Sequence, residues 1–94
     1  MRRRVEVLAA ARRDLIRLEA FLVERNPGAA VRAAAVISDA VLSLGQLAER
    51  GRRDPESELR EIVVQFGRNG YVIQCLVEPE RVLVARIFHA REAR

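Results

Sequence analysis

The chain has 94 residues and a net charge of +4, from 17 basic and 13 acidic side chains, which predicts one domain over residues 1–94 and suits an anionic partner. One cysteine, Cys75, excludes an internal disulfide, and one histidine leaves too few ligands for a zinc site, so we expect no metal and no cofactor. Without a signal peptide or an unbroken run of the ~20 apolar residues that span a bilayer, we expect a cytoplasmic protein with no membrane partner.

The first half of the chain predicts a strand followed by two helices. The strand covers Arg4–Leu8, and the helices run from about 10 to 25 and from about 27 to 49, separated by Asn26-Pro27. Steps of three and four place one apolar stripe on each helix. The first stripe is Ala11, Leu15, Leu18 and Leu22, and the second is Val31, Ala34, Ile37, Val41, Leu44 and Leu47. These stripes predict a helical hairpin with one buried face.

In the second half the apolar period falls to two, which predicts three strands. A polar loop over 50–58 precedes strands at Leu59–Phe66, Tyr71–Val77 and Val82–His89, and Asn69-Gly70 suits a tight hairpin turn. The order predicts an α+β fold with an N-terminal strand, a helical hairpin and a three-stranded antiparallel meander. We expect both helices to pack on one face of the sheet.

The last strand is apolar on both faces. Strict alternation points Val82, Val84 and Phe88 one way, and Leu83, Ala85 and Ile87 the other. One hairpin covers only one face, so an apolar patch is expected on the other, and such patches mark binding surfaces.

Several short motifs resemble a known family when taken in order. They are "VEVLAAARRDL", "RNPGAA", "LREIVV", "YVIQCLV" and "VLVARIFHAR", and they run nearly end to end. Together they resemble the RelE/ParE superfamily of toxins from type II toxin–antitoxin systems, closer to the ParE-like branch. The resemblance implies growth arrest, a role in plasmid stabilisation, and a cognate ParD-like or similar antitoxin with an acidic C-terminal segment, in a heterotetramer or larger complex.

The resemblance implies two alternative mechanisms. RelE-like members cut mRNA on the ribosome, whereas ParE-like members inhibit DNA gyrase and are not ribonucleases. RNA cleavage needs groups that accept and donate protons, yet this chain has no lysine, and its only tyrosine, Tyr71, opens an internal strand. A ribonuclease would be left with His89, Arg60 and Glu61, so we favour a gyrase-binding protein without catalytic residues. A non-toxic relative that only binds its antitoxin is a third reading.

The resemblance also suggests contact residues. For the target these are Arg60, Arg86, His89, Arg91 and Arg94. The antitoxin is expected on the open apolar face, at Val82, Val84 and Phe88, with its carboxylates on Arg60 and Arg86. Three of these residues have a structural alternative. Arg60 could pair with Glu58 or Glu61 at a strand edge, and His89 could be satisfied locally. Arg86 interrupts an apolar strand, which requires that its guanidinium be paired or reach water.

Overall fold

The structure is a computed structural model that describes residues 2–92, in which two helices lie against a five-stranded mixed sheet. The elements are β1 (Arg4–Val7), α1 (Ala9–Arg25), α2 (Pro27–Leu47), a 3-10 turn (Ala48–Arg50), β2 (Arg52–Arg53), β3 (Arg60–Phe66), β4 (Asn69–Val77) and β5 (Arg81–His89). The strand order is β1-β5-β4-β3-β2, with β1 parallel to β5 and the other pairs antiparallel. The predicted α+β fold is confirmed, and β2 is an addition inside the predicted loop.

The helical hairpin turns at the predicted residues. The Asn26 N–H donates to the Leu22 carbonyl at 2.7 Å, and the Asn26 side chain accepts from the Ala29 N–H at 3.1 Å. Asn26 therefore closes α1 and caps α2, while Pro27 occupies the first turn of α2, where no N–H is needed.

The β3–β4 turn differs from the predicted one. Asn69 pairs with Phe66 as the first residue of β4, so the loop consists of Gly67 and Arg68. Gly67 has φ +60°, and a glycine with positive φ in the first position of a two-residue loop is typical of a type II′ turn. The predicted turn, "GRNG" over 67–70, contains this loop, but the residue with positive φ is Gly67, and the prediction that Asn69-Gly70 supplies it is wrong.

The core lies between the hairpin and the sheet, but α2 is rotated from its predicted orientation. Its buried side chains are Ala30, Ala33, Ile37 and Leu44, whereas Val31 is 72% exposed. The prediction that Val31 is a core residue is therefore wrong. Ala30 and Ala33 lie on the buried face, and Val31 lies about 100° around the helix from Ala30, which places it on the solvent side.

A β-bulge interrupts β5. Gln74 of β4 pairs with Arg86, but the next residue, Cys75, pairs with Val84, so Ala85 is an extra residue on β5. An extra residue shifts the alternation by one position, because successive side chains in a strand point to opposite faces. Residues before and after Ala85 therefore do not follow one alternating pattern.

The bulge overturns the predicted facing of β5. Val82, Val84 and Ile87 are all fully buried in the core under the helices. Phe88 lies outside that core cluster, is 8% exposed, and pairs with Val72 on the face away from the helices. The prediction that Val82 and Val84 share an open face with Phe88 is wrong, and neither valine is accessible to an antitoxin in this fold.

Helix α2 is strongly apolar, although the sequence has no unbroken apolar run long enough to span a bilayer. With the turn after it, Pro27–Arg50 is long and apolar enough to cross a membrane by length and composition alone. Core helices meet the same test, and Ile37 and Leu44 of α2 pack in the core. Core packing therefore accounts for only part of this composition, because Val31, Leu42 and Leu47 of α2 are exposed.

Two apolar residues of α2 offer a matched test of this packing. Ile37→Ala should lower the free energy of unfolding by roughly 2–5 kcal/mol, because it empties a buried site. Val31→Ala should cost less than about 0.5 kcal/mol, because Val31 is exposed. Chemical denaturation of both variants measures the difference, and equal losses would mean that α2 packs through another face.

Candidate functional site

A buried carboxylate anchors the part of β5 that β1 does not cover. β1 ends at Val7, opposite Val84, and β5 continues for five more residues. Asp14 of α1 takes over there, because its Oδ2 accepts a hydrogen bond from the Ile87 N–H at 2.8 Å. Asp14 is 4% exposed and is the only buried charged residue within 2–92. A side chain from α1 thus replaces a strand partner.

Asp14 also fixes Arg86. The Nε and Nη2 of Arg86 donate to Oδ2 and Oδ1 of Asp14 at 2.8 and 3.0 Å, a two-pronged ion pair. The Arg86 guanidinium lies 4.7 Å from the centre of the Phe88 ring. Burial alone would raise the pKa of Asp14, but hydrogen bonds from Arg86, Ile87 and Arg17 outweigh it and hold that pKa below its ordinary 3.8. The alternative that Arg86 is paired is confirmed.

Arg17 links this anchor to the end of the chain. Its Nη2 donates to Asp14 Oδ1 at 3.3 Å, and its Nη1 donates to Glu92 Oε2 at 2.9 Å. The other Glu92 oxygen, Oε1, accepts from the His89 N–H at 2.8 Å. The turn after β5 is therefore tied to α1 by charged side chains.

His89 is held by local contacts. Its ring stands edge-on to the ring of Tyr71, with centroids 5.7 Å apart and planes at 89°. Its Nδ1 accepts from the Arg91 N–H at 3.2 Å. The alternative that His89 is satisfied locally is confirmed. The half-buried imidazole lies at the edge of a large cleft.

This cleft, about 840 Å³ in volume, is the candidate functional site. It lies between α1, the β3–β4 turn and the residues after β5. Its lining consists of Arg17, Leu18, Phe21, Leu22, residues 66–71, His89, Arg91 and Glu92. Leucine and aromatic side chains form its floor, and three exposed arginines, Arg17, Arg68 and Arg91, stand around it. Such a cleft suits an amphipathic ligand with negative groups at its edge.

The other predicted site residues lie elsewhere. Arg60 donates through Nη1 to the carbonyls of Glu49 and Gly51 at 3.4 and 3.3 Å, so both of these acceptors are backbone oxygens. Glu61 accepts from Gln74 Nε2 at 2.9 Å.

The sheet register separates these two residues from the cleft. His89 pairs with Tyr71 of β4, whereas Glu61 of β3 pairs with Gln74, three residues farther along. Strand geometry then puts the His89 and Glu61 backbones roughly 14 Å apart, and Arg60 lies one residue farther away. The structure brings His89 and Arg91 together but leaves Arg60 and Glu61 outside the cleft, and Arg94 lies outside the described residues.

Sequence reasoning assigned no role to Asp14, Arg17 or Glu92. Asp14 belongs to "ARRDL", a stretch noted only for its family resemblance. The one available signal was an acidic residue inside the apolar stripe of α1, beside Leu15 and Leu18. A charge in that position needs a buried partner.

Comparison with known proteins identifies the family. The family model described as "ParE toxin of type II toxin-antitoxin system" matches residues 5–94. The chain belongs to the ParE toxin family. Toxin RelE3 of Caulobacter vibrioides is 43% identical over 90 residues, covering 96% of this chain and 97% of that protein. Toxin RelE1 of the same organism is 40% identical over 90 residues, covering 96% of each.

A solved structure confirms the fold of this ParE-family toxin. The chromosomal ParDE system from P. aeruginosa contains a chain that superposes with a TM-score of 0.78, covering 95% of this chain and 97% of that one. At 21% identity the likeness establishes the fold alone. The protein is thus the toxin of a type II toxin–antitoxin system, and membership implies a cognate antitoxin.

The Asp14 anchor predicts a pH dependence of stability. The pKa of Asp14 is depressed in the folded protein, so its contribution is present above the unfolded value of about 3.9 and is lost as pH falls through the folded value. Asp14→Asn should cost roughly 3 kcal/mol at neutral pH, because it leaves Arg86 without its carboxylate. The variant should also lose less stability than wild type below about pH 4.

Urea unfolding from pH 7 to pH 3 measures both effects. Asp39→Asn removes an exposed carboxylate of α2 and should change the free energy of unfolding by less than about 0.5 kcal/mol. Parallel pH profiles for Asp14→Asn and wild type would contradict the assignment of Asp14 as the anchor.

Proposed function

We propose that this toxin arrests growth in the cytoplasm by binding DNA gyrase, and that it acts by occupying its target and not by cutting RNA. The observation that carries the proposal is the chemistry of the cleft. Its apolar floor and its arginines provide contact area and fixed positive charge. Arginine remains charged in proteins, so these residues can bind but cannot accept a proton.

Proton transfer is poorly supported in the cleft. His89 is the one cleft side chain within residues 2–92 of a type that exchanges protons near neutral pH. Burial raises the pKa of Tyr71, which makes the phenol a weaker acid. Partial burial would raise the pKa of Glu92, but hydrogen bonds from the His89 N–H and from Arg17 outweigh it and keep that pKa low. RNA cleavage would need both an acid and a base.

The alternative is a ribosome-dependent mRNA endonuclease. Its support is that the two Caulobacter relatives carry RelE names and that His89 lies beside Arg91 at the cleft. The separation of His89 from Arg60 and Glu61 counts against this alternative, because a catalytic acid and base must reach the same phosphate.

Replacing His89 separates the two mechanisms. His89→Gln keeps a hydrogen-bond donor and acceptor but removes the imidazole. A contact residue is worth roughly 2- to 13-fold in affinity, whereas a general acid or base supplies ~10²–10⁴-fold in rate. The variant should therefore still arrest growth when overexpressed, and it should inhibit gyrase supercoiling within about tenfold of wild type.

Purified wild type added to gyrase and, separately, to translating ribosomes completes the test. Inhibited supercoiling with intact mRNA supports the proposal. If His89→Gln folds but is inactive while wild type cuts ribosome-bound mRNA, the ribonuclease mechanism replaces it. A folded wild type that affects neither gyrase nor mRNA, and does not slow growth, would be a non-toxic antitoxin partner.

The surface that best fits the antitoxin is the outer side of the helical hairpin. Among residues 2–92 the exposed large apolar side chains are Leu8, Ile16, Phe21, Val23, Val31, Leu42, Leu47 and Val63, and of these only Val63 belongs to the sheet. A second hollow of about 280 Å³ lies between the helices, bordered by Leu15, Leu22, Val41 and Leu42 among others. Exposed apolar surface of this kind fits a partner that stays bound.

Charge complementarity adds to this apolar surface. An acidic antitoxin segment suits the basic chain, but the two NH groups that Arg86 uses to bind Asp14 are unavailable to it. To residues within 2–92 Arg60 makes two long hydrogen bonds, both through Nη1, and it is the better of the two predicted arginines for pairing with a carboxylate. We extend the proposal to a toxin–antitoxin heterotetramer with this hairpin surface inside it.

Two exposed apolar residues distinguish the hairpin from the sheet as the antitoxin surface. Leu42 of α2 is 72% exposed and Val63 of β3 is 65% exposed. Leu42→Glu should weaken antitoxin binding at least tenfold, and Val63→Glu should change it less than threefold, because hot spots lie inside the contact area. Surface plasmon resonance with the cognate antitoxin measures both, and raising salt to about 0.5 M should speed dissociation only modestly. The reverse ranking would mean that the antitoxin binds the open face of the sheet and not the hairpin.

A further inference from the structure

The residues after β5 form a closed turn built around Glu92. The Glu92 N–H donates to the His89 carbonyl at 3.0 Å, and Glu92 Oε1 accepts from the His89 N–H at 2.8 Å. Both backbone groups of His89 are thus satisfied by one residue. The Ala90 N–H donates to the Gly70 carbonyl at 2.9 Å, which ties the same turn to the beginning of β4. His89 and Arg91 therefore belong to an ordered turn.

The second oxygen of Glu92 fixes this turn against α1. Glu92 Oε2 accepts from Arg17 Nη1 at 2.9 Å, and Arg17 is itself held by Asp14 at 3.3 Å. Asp14 in turn holds the backbone of Ile87, two residues before His89. The chain of contacts therefore anchors His89 on both sides, through Ile87 before it and through Glu92 after it.

The contacts of Glu92 contribute little to the free energy of unfolding. The side chains of Arg17 and Glu92 are 47% and 32% exposed, and partly exposed ion pairs contribute little to global stability. A carboxylate that accepts from a backbone N–H orders the turn that it closes. The arrangement is thus suited to setting the position of a few residues and adds little to the stability of the fold.

We propose that Glu92 is a positioning residue that, through Arg17 and the His89 backbone, holds His89 against Tyr71 and presents Arg91 at the cleft. The effect of this positioning role on inhibition rests on the proposed function, in which this cleft contacts gyrase. Without Glu92 the turn samples other conformations, and binding weakens in proportion to the fraction that remains competent. Loss of one charge-assisted hydrogen bond and one exposed ion pair corresponds to roughly a three- to tenfold loss of inhibition.

The composition of the chain offers a direct structural readout. His89 is the only histidine and Tyr71 the only tyrosine, so the imidazole proton resonances need no assignment. The edge-on Tyr71 ring shifts these resonances through its ring current while the two rings stay 5.7 Å apart. Glu92→Gln should move them toward the values of free histidine, with the melting temperature nearly unchanged.

Two further variants complete the experiment. Arg17→Gln breaks the same contact from α1 and should shift the imidazole resonances in the same direction. Glu24→Gln removes a carboxylate that is 80% exposed and pairs only weakly with Arg25 at 3.9 Å, and it should shift nothing. Folding of each variant is checked by circular dichroism.

The outcomes separate this proposal from the proposed function. Unmoved imidazole resonances in folded Glu92→Gln would overturn the positioning role, whatever the target. Moved resonances with unchanged inhibition of gyrase would also overturn it, because the position of His89 would then not matter. If wild type does not inhibit gyrase, the proposed function fails, and the positioning role is judged by the resonances alone.

Discussion

The structure depends on one buried carboxylate, that of Asp14. β1 covers only the first part of β5, so the later backbone of β5 would otherwise lack a partner at that edge. Asp14 supplies the missing acceptor to Ile87 and compensates its own burial with the two donors of Arg86. An unpaired carboxylate at this depth would be costly, and an unpaired backbone N–H would be costly too. The Asp14 carboxylate and the Ile87 N–H therefore each offset the free-energy cost of burying the other.

The same contacts explain why the cleft forms where it does. α1 is held over the end of β5 by Asp14, so its next turns, with Leu18, Phe21 and Leu22, form one side of the cleft. The short β3–β4 loop forms the opposite side, because its type II′ geometry at Gly67 keeps the two strands together to their ends. A rigid frame of this kind allows the arginines around the cleft to act without a large ordering cost.

Sequence periodicity predicted nearly every element of the fold, because long amphipathic helices and alternating strands leave strong local signals. It failed where the deciding contact is distant. Ala85 suits an ordinary strand position, so the bulge that moves Ile87 and Phe88 to new faces left no local signal in the sequence. The Asp14–Arg86 pair joins residues 72 positions apart, and no spacing rule connects them. In the β3–β4 turn the positive φ was assigned to Asn69-Gly70 because Asn-Gly is the commoner signal, while the chain uses Gly67.

The exposed apolar side of the hairpin also has a consequence for dosage. Residues such as Val31 and Leu42 face water in the uncomplexed toxin, and exposed apolar surface of this extent promotes self-association. A net charge of only +4 gives limited colloidal protection against it. Free toxin made in excess of its antitoxin should therefore self-associate, and a bound partner that covers this surface should raise its solubility.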